Sequence, residues 1–114
     1  MVQIVDRRAQ LVLVPKAVFA QPEWVELGLG AQVQWLRAAI EEGLAQLSDA
    51  PAIRCPHAFY GSYRVLVLPL LVQEQLATFA RAKKATPGVV AGWAVAIARQ
   101  LPLVGTVAPP RPPP

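Results

Sequence analysis

Residues 64–101 read RVLVLPLLVQEQLATFARAKKATPGVVAGWAVAIARQL, and two prolines divide them into a strand and two helices. Residues 64–68 are a short aliphatic and β-branched run, and Pro69 closes it by withdrawing a backbone donor. Beyond Pro69, Val72, Leu76, Phe79 and Ala80 recur at i, i+4, i+7 and i+8, one apolar face of a 3.6-residue period. Gln73, Glu74, Gln75 and Arg81 take the opposite face, and Lys83 and Lys84 put positive charge where the helix dipole favours it. Thr86 followed by Pro87 is a boundary signal: a side-chain acceptor at the N-cap, then a proline at the first helical position, where a missing N–H costs nothing. The helix expected over residues 87–101 carries Val90, Trp93, Ala94, Ile97 and Leu101 on one face and Val89, Ala91, Val95, Ala96 and Ala98 around the rest. A helix apolar nearly all round should be buried.

The same order recurs earlier in the chain. Residues 9–14, AQLVLV, are a second apolar run closed by a proline, Pro15, which stands 54 residues before Pro69. Val33, Leu36, Ile40 and Leu44, within residues 31–47, repeat the spacing of Val90, Trp93, Ile97 and Leu101. Such self-similarity points to an internal duplication. It is imperfect, because Pro22 interrupts the segment between strand and second helix. Pro22 is expected to open a shorter helix that Gly28 to Gly30 stop.

Strand, proline, amphipathic helix, tight turn and buried helix, with Leu68-Pro69 at the strand exit and Thr86 opening the last helix, resemble the ribbon-helix-helix family of DNA-binding proteins. In that family two copies bury their apolar surface by pairing through an antiparallel two-stranded ribbon. Here the chain itself would supply both copies if each half is such a unit. Pro56, His57, Ala58 and Phe59 ahead of the second strand resemble the single-chain double members of the family, among them an agrobacterial accessory domain that assists T-DNA transfer. The fold class implied is mainly α with a short two-stranded antiparallel ribbon, a tandem ribbon-helix-helix pseudo-dimer in one chain. Residues 1–101 would form one domain of two repeats, about 9–47 and 62–101, joined by 48–61 and followed by a tail over 102–114.

The formal charge is +4, unevenly distributed. Residues 1–53 hold four basic and six acidic side chains, whereas residues 54–114 hold seven basic ones and Glu74 alone as an acid. A basic half suits a polyanion partner. Cys55 is the only cysteine, so no internal disulfide forms, and a reducing cytoplasm is the expected location. Asp6, Arg7 and Arg8 interrupt the N-terminus before any signal-peptide core develops. The most apolar stretch, residues 88–98, is far short of the ~20 residues that span a bilayer. Five of the last six residues are proline, so the tail can join neither helix nor sheet.

The inventory for catalysis is poor: two serines (Ser48 and Ser62), one histidine, one cysteine and no glycine-rich phosphate loop. Cys55 and His57 cannot complete a zinc site by themselves, and adjacent Glu41 and Glu42 diverge by about 100° on a helix. No enzyme activity, metal or cofactor is expected. Trp24, Trp35 and Trp93 read as packing residues.

The resemblance implies double-stranded DNA as partner, contacted in two ways. The ribbon's outward side chains would enter the major groove, and the N-terminus of each second helix would hold a phosphate. Thr86, Pro87 and Gly88, flanked by Lys83 and Lys84, fit the second set. For the ribbon, the family's register turns Tyr63, Val65 and Val67 outward together with Ala9, Leu11 and Leu13, nearly all apolar. The opposite register exposes Arg64, Leu66 and Leu68 with Arg8, Gln10 and Val12. It is preferred, because burying Arg64 unpaired would be expensive. Weak base readout is then expected from Arg8, Gln10 and Arg64, with phosphate contacts by Arg7, Arg81, Lys83 and Lys84. The protein would be an accessory factor for a relaxase or other DNA-transfer complex, or a transcriptional regulator of the same fold. A monomer is expected over the homodimer that would form if residues 9–47 were an unrelated helical hairpin and two chains paired through the Arg64 strand. A protein-protein adaptor using an apolar ribbon and the proline tail is the alternative.

Overall fold

The structure, a computed structural model, describes residues 7–49, 56 and 58–103, and of Arg7 the backbone only. It is mainly helical with one two-stranded sheet. Strand β1 (Arg7–Pro15) leads through a 3₁₀ turn (Lys16–Ala20) into the one-turn helix α1 (Pro22–Val25) and the long helix α2 (Leu29–Asp49). Strand β2 (Gly61–Pro69) is followed by α3 (Leu70–Lys83) and α4 (Pro87–Arg99). Each half therefore runs strand, proline, helical turns, second helix. The Cys55 and His57 pair and nearly all of the proline tail lie outside the described residues.

The strands pair antiparallel, from Arg7 opposite Pro69 to Pro15 opposite Gly61, with Leu11 opposite Val65 at the centre. Both strands end on proline, which cannot donate to a continuing ladder. Val12, Val14, Leu66 and Leu68 face the helices and are essentially inaccessible. Leu11, Tyr63, Val65 and Val67 face away and are 49, 59, 65 and 45% exposed.

This facing is the reverse of the one preferred from the sequence, which had Leu66, Leu68 and Val12 outward. Both registers of VLVLP and LVLVP present aliphatic residues, so alternation alone does not choose between them. Arg64 did not have to be exposed: its guanidinium carbon lies 5.4 Å from the Phe19 ring centroid and 5.5 Å from that of Trp24, so its charge meets two ring faces at the margin of the core. Trp24 in turn packs edge-on against Phe19 and Trp35, and all three tryptophans take part in packing.

Pro22 opens α1, as its position in the sequence suggested. Gly28 to Gly30, however, do not form a stop. Gly30 lies in the first turn of α2, and the Gly28 carbonyl accepts from Gln32 N at 2.9 Å. Neither glycine has the positive φ of a helix terminator.

Helix α4 occupies the centre. Every residue from Gly88 to Ala96 is buried, in keeping with its all-round apolar sequence. Close approach is possible because glycines stand at its contacts: a Cβ at Gly92 would overlap the Leu13 carbonyl and the Phe59 ring, and one at Gly43 of α2 would overlap Ala94. Thr86 caps α4 as expected, with Oγ1 accepting from Val89 N at 3.3 Å and Pro87 in the first turn. Helices α3 and α4 both end on a non-glycine residue in the left-handed region, Lys84 at φ 57° and Gln100 at φ 54°. The next amide then reaches back across the last turn: Ala85 N to Ala80 O at 2.9 Å, and Leu101 N to Ala96 O at 2.8 Å.

Candidate nucleic-acid interface

The outward ribbon face and the α3–α4 corner are the two surfaces that the sequence nominated, and the fold joins them. Gly88, in the first turn of α4, is buried so tightly on β1 that a Cβ there would overlap the Leu11 carbonyl. The start of α4 therefore abuts the middle of the ribbon. Arg81, Lys83, Lys84 and Thr86 sit together at that corner by adjacency along the chain, with Arg81, Lys84 and Thr86 exposed and Lys83 half-buried. The role of Gly88 in the structure is packing, because its backbone is covered.

The ribbon's polar candidates are dispersed. Arg8 is exposed near the opposite end of α3, about 20 Å of helix away from Lys84 at 1.5 Å per residue, and its carbonyl accepts from Gln73 Nε2 at 2.7 Å. Gln10 is half-buried and donates to the neighbouring Leu11 carbonyl at 2.9 Å. Arg64 is turned inward onto Phe19 and Trp24. The side chain of Arg7 lies outside the described residues.

Three described basic residues, Lys16, Arg37 and Arg99, were not among those nominated from the sequence. Lys16 is exposed immediately after Pro15, where the chain leaves β1. Arg37 donates from Nε to the Val67 carbonyl at 2.9 Å, and from Nη2 to the same oxygen, which satisfies a peptide oxygen at the edge of β2. No local pattern marks that contact, which spans thirty residues.

The ribbon face is uncharged at its centre, and its strands contain Arg7, Arg8 and Arg64 but no carboxylate. The arrangement presents an exposed row of Leu11, Tyr63, Val65 and Val67, with Arg8 exposed near one end of β1. No group of three potential metal ligands occurs among the described residues, and a cavity of about 300 Å³ between α2 and the β2–α3 junction is lined by Arg37 and Glu41 as its charged groups, the former bound to Val67. No helix among the described residues is long and apolar enough to cross a membrane. No protein-family model, curated protein or solved structure matches the chain.

Proposed function

We propose that this chain is a non-enzymatic DNA-binding protein, a single-chain pseudo-dimer of two ribbon-helix-helix units that works as an accessory factor in a cytoplasmic DNA-transfer or relaxase complex. The observation that carries the reading is the ribbon formed between the two halves, with its outer face free of helices and its flank joined to the basic α3–α4 corner. Two pairings support internal two-fold symmetry. Pro15 and Pro69 correspond, which makes Leu11 and Val65 equivalent, and these two face each other at the centre of the ribbon. The second helices align at a spacing of 57 residues, which makes Glu42 and Arg99 equivalent, and these two also meet. A two-stranded ribbon of this size fits a major groove. Affinity would come mainly from phosphates held by Arg8, Arg81, Lys83, Lys84 and the capped start of α4 at Thr86. A transcriptional regulator with the same surface is the nearest variant of this reading, since fold alone does not separate the two.

The test is anisotropy of a labelled duplex titrated with the full chain at two salt concentrations. For three neutralised phosphates a fourfold rise in salt lowers affinity about 40-fold. An affinity indifferent to salt, or no binding at low salt, overturns the reading.

The exposed row of Leu11, Tyr63, Val65 and Val67 favours a second reading, a protein-protein adaptor. Arg81→Glu with Lys84→Glu separates the two: DNA retention collapses under the first, whereas capture of a protein partner is unaffected under the second.

A further inference from the structure

The ribbon that would enter the groove has almost nothing with which to form hydrogen bonds. Its outward residues are Ala9, Leu11, Tyr63, Val65 and Val67, and Leu11, Tyr63, Val65 and Val67 are 45–65% exposed. Of the polar side chains expected to read base edges, Gln10 donates to the Leu11 carbonyl and Arg64 lies on Phe19 and Trp24, which leaves Arg8, exposed near one end of the ribbon. What such a surface recognises in a major groove is limited by chemistry. Of the groups displayed there, the C5-methyl of thymine is apolar, and the others are hydrogen-bond donors or acceptors. An aliphatic ridge gains by covering methyl groups and loses by covering amino groups and carbonyl oxygens that it cannot satisfy.

Resting on the DNA-binding reading above, we infer that Leu11, Val65 and Val67 select duplexes by contact with thymine methyl groups. The ligand is thymine-rich double-stranded DNA, read without a direct hydrogen-bond code. Charge complementarity supports this occupant over an apolar protein surface: neither strand carries a carboxylate, Arg8 is exposed near one end of β1, and the middle of β1 abuts the start of α4, next to the corner of Arg81, Lys83 and Lys84. Val65 and Leu11 lie at the centre of the ribbon, opposite one another, so the methyl contacts would fall on both sides of a local two-fold of the DNA. Tyr63, next along β2, is the one outward side chain with a hydroxyl, so it could add a single hydrogen bond at one end of the row.

The experiment uses the full chain and competition anisotropy with three matched pairs of ligands. A thymine-containing duplex is compared with the same sequence in which deoxyuridine replaces every thymidine, which removes methyl groups and leaves every phosphate. A G·C-rich duplex is compared with its 5-methylcytosine form, which adds methyl groups without adenine or thymine. The first pair is then repeated with Val65→Ser, a substitution on the exposed face. We expect the thymine duplex to compete better than the uracil one by about fourfold for each methyl group covered, the methylated G·C duplex to compete better than the unmethylated one, and the salt slope to be equal within each pair. Val65→Ser should shrink the thymine preference severalfold and leave the salt slope unchanged. Equal competition by thymine and uracil duplexes, with salt-sensitive binding retained, overturns methyl reading and leaves DNA binding standing. A thymine preference that Val65→Ser does not diminish also overturns it, because the discrimination would then come from duplex shape. Failure of every duplex to bind at low salt overturns both and leaves a protein partner for the ridge.

Discussion

Arg99 Nη1 donates to Glu42 Oε2 at 2.8 Å, and the two residues stand at corresponding places in the second helix of each half. In a pair of identical chains the two positions would carry the same residue, so like would face like. On the proposed double-unit reading, two copies within one chain can diverge into opposite charges. Arg99 also lies over the Trp35 ring, 5.2 Å from its centroid, which ties the ion pair to the aromatic cluster. The side chains are 25% and 54% exposed, so the pair itself contributes about 0.5 kcal/mol. Arg99→Glu should destabilise the fold by about 1–2 kcal/mol, through carboxylate repulsion and the lost ring contact. Adding Glu42→Arg should recover part of that loss in urea denaturation. A double variant no more stable than Arg99→Glu would show that the two side chains are uncoupled.

The helix crossing depends on absent side chains. Gly43→Ala and Gly92→Ala each force a methyl group into backbone, and despite alanine's better helix propensity each should cost about 1–3 kcal/mol. Gly30, also in α2, has open space where a Cβ would stand, with no atom within 4 Å, so Gly30→Ala should be neutral or stabilising by up to about 1 kcal/mol. Thermal or denaturant midpoints for the three variants check the contrast.

Opposite effects are expected at neighbouring positions of β2. Arg64→Ala removes a guanidinium from two ring faces and should cost about 1–2 kcal/mol, with a shift in tryptophan emission from Trp24. Val65→Ser, on the exposed face, should stay within about 0.5 kcal/mol of the parent. The reverse ranking would mean that the ribbon presents its other face.

Gln100 closes α4 with φ 54°, a conformation glycine adopts without penalty. Gln100→Gly should raise stability by up to about 1 kcal/mol, set against the greater entropy glycine gives the unfolded chain. An unchanged or lower melting temperature would argue that Gln100 makes a contact worth more than the backbone strain.

The internal pairing predicts a monomer. The full chain should sediment as a single 12.3 kDa species across a wide range of concentration. A concentration-dependent dimer would instead favour exchange of strands between two chains.

Much of the element order was legible locally, because its signals are local. Pro15 and Pro69 end strands by lacking a donor, Thr86 and Pro87 start a helix by cap geometry, and the 3.6-residue period of Val72, Leu76 and Phe79 needs no partner to be seen. The facing of the ribbon was not legible. LVLV and VLVL are apolar on both faces, so the period of two carries no contrast, and the one discriminating residue, Arg64, pointed the wrong way. The cost of burying a cation depends on what surrounds it, and Phe19 and Trp24 lie about forty residues earlier in the chain. The candidate interface shows the same division. Its cations at Arg81, Lys83 and Lys84 are written in the sequence, whereas the abutment of their corner on Leu11 through Gly88 is not. By itself, then, the sequence determined the order of the strands and main helices and the signals at Pro15, Pro69, Thr86 and Pro87. Only the tertiary structure decided which side chains face outward, because that choice rests on contacts between residues far apart in the chain, where rings can accept a charge and glycines let backbones meet.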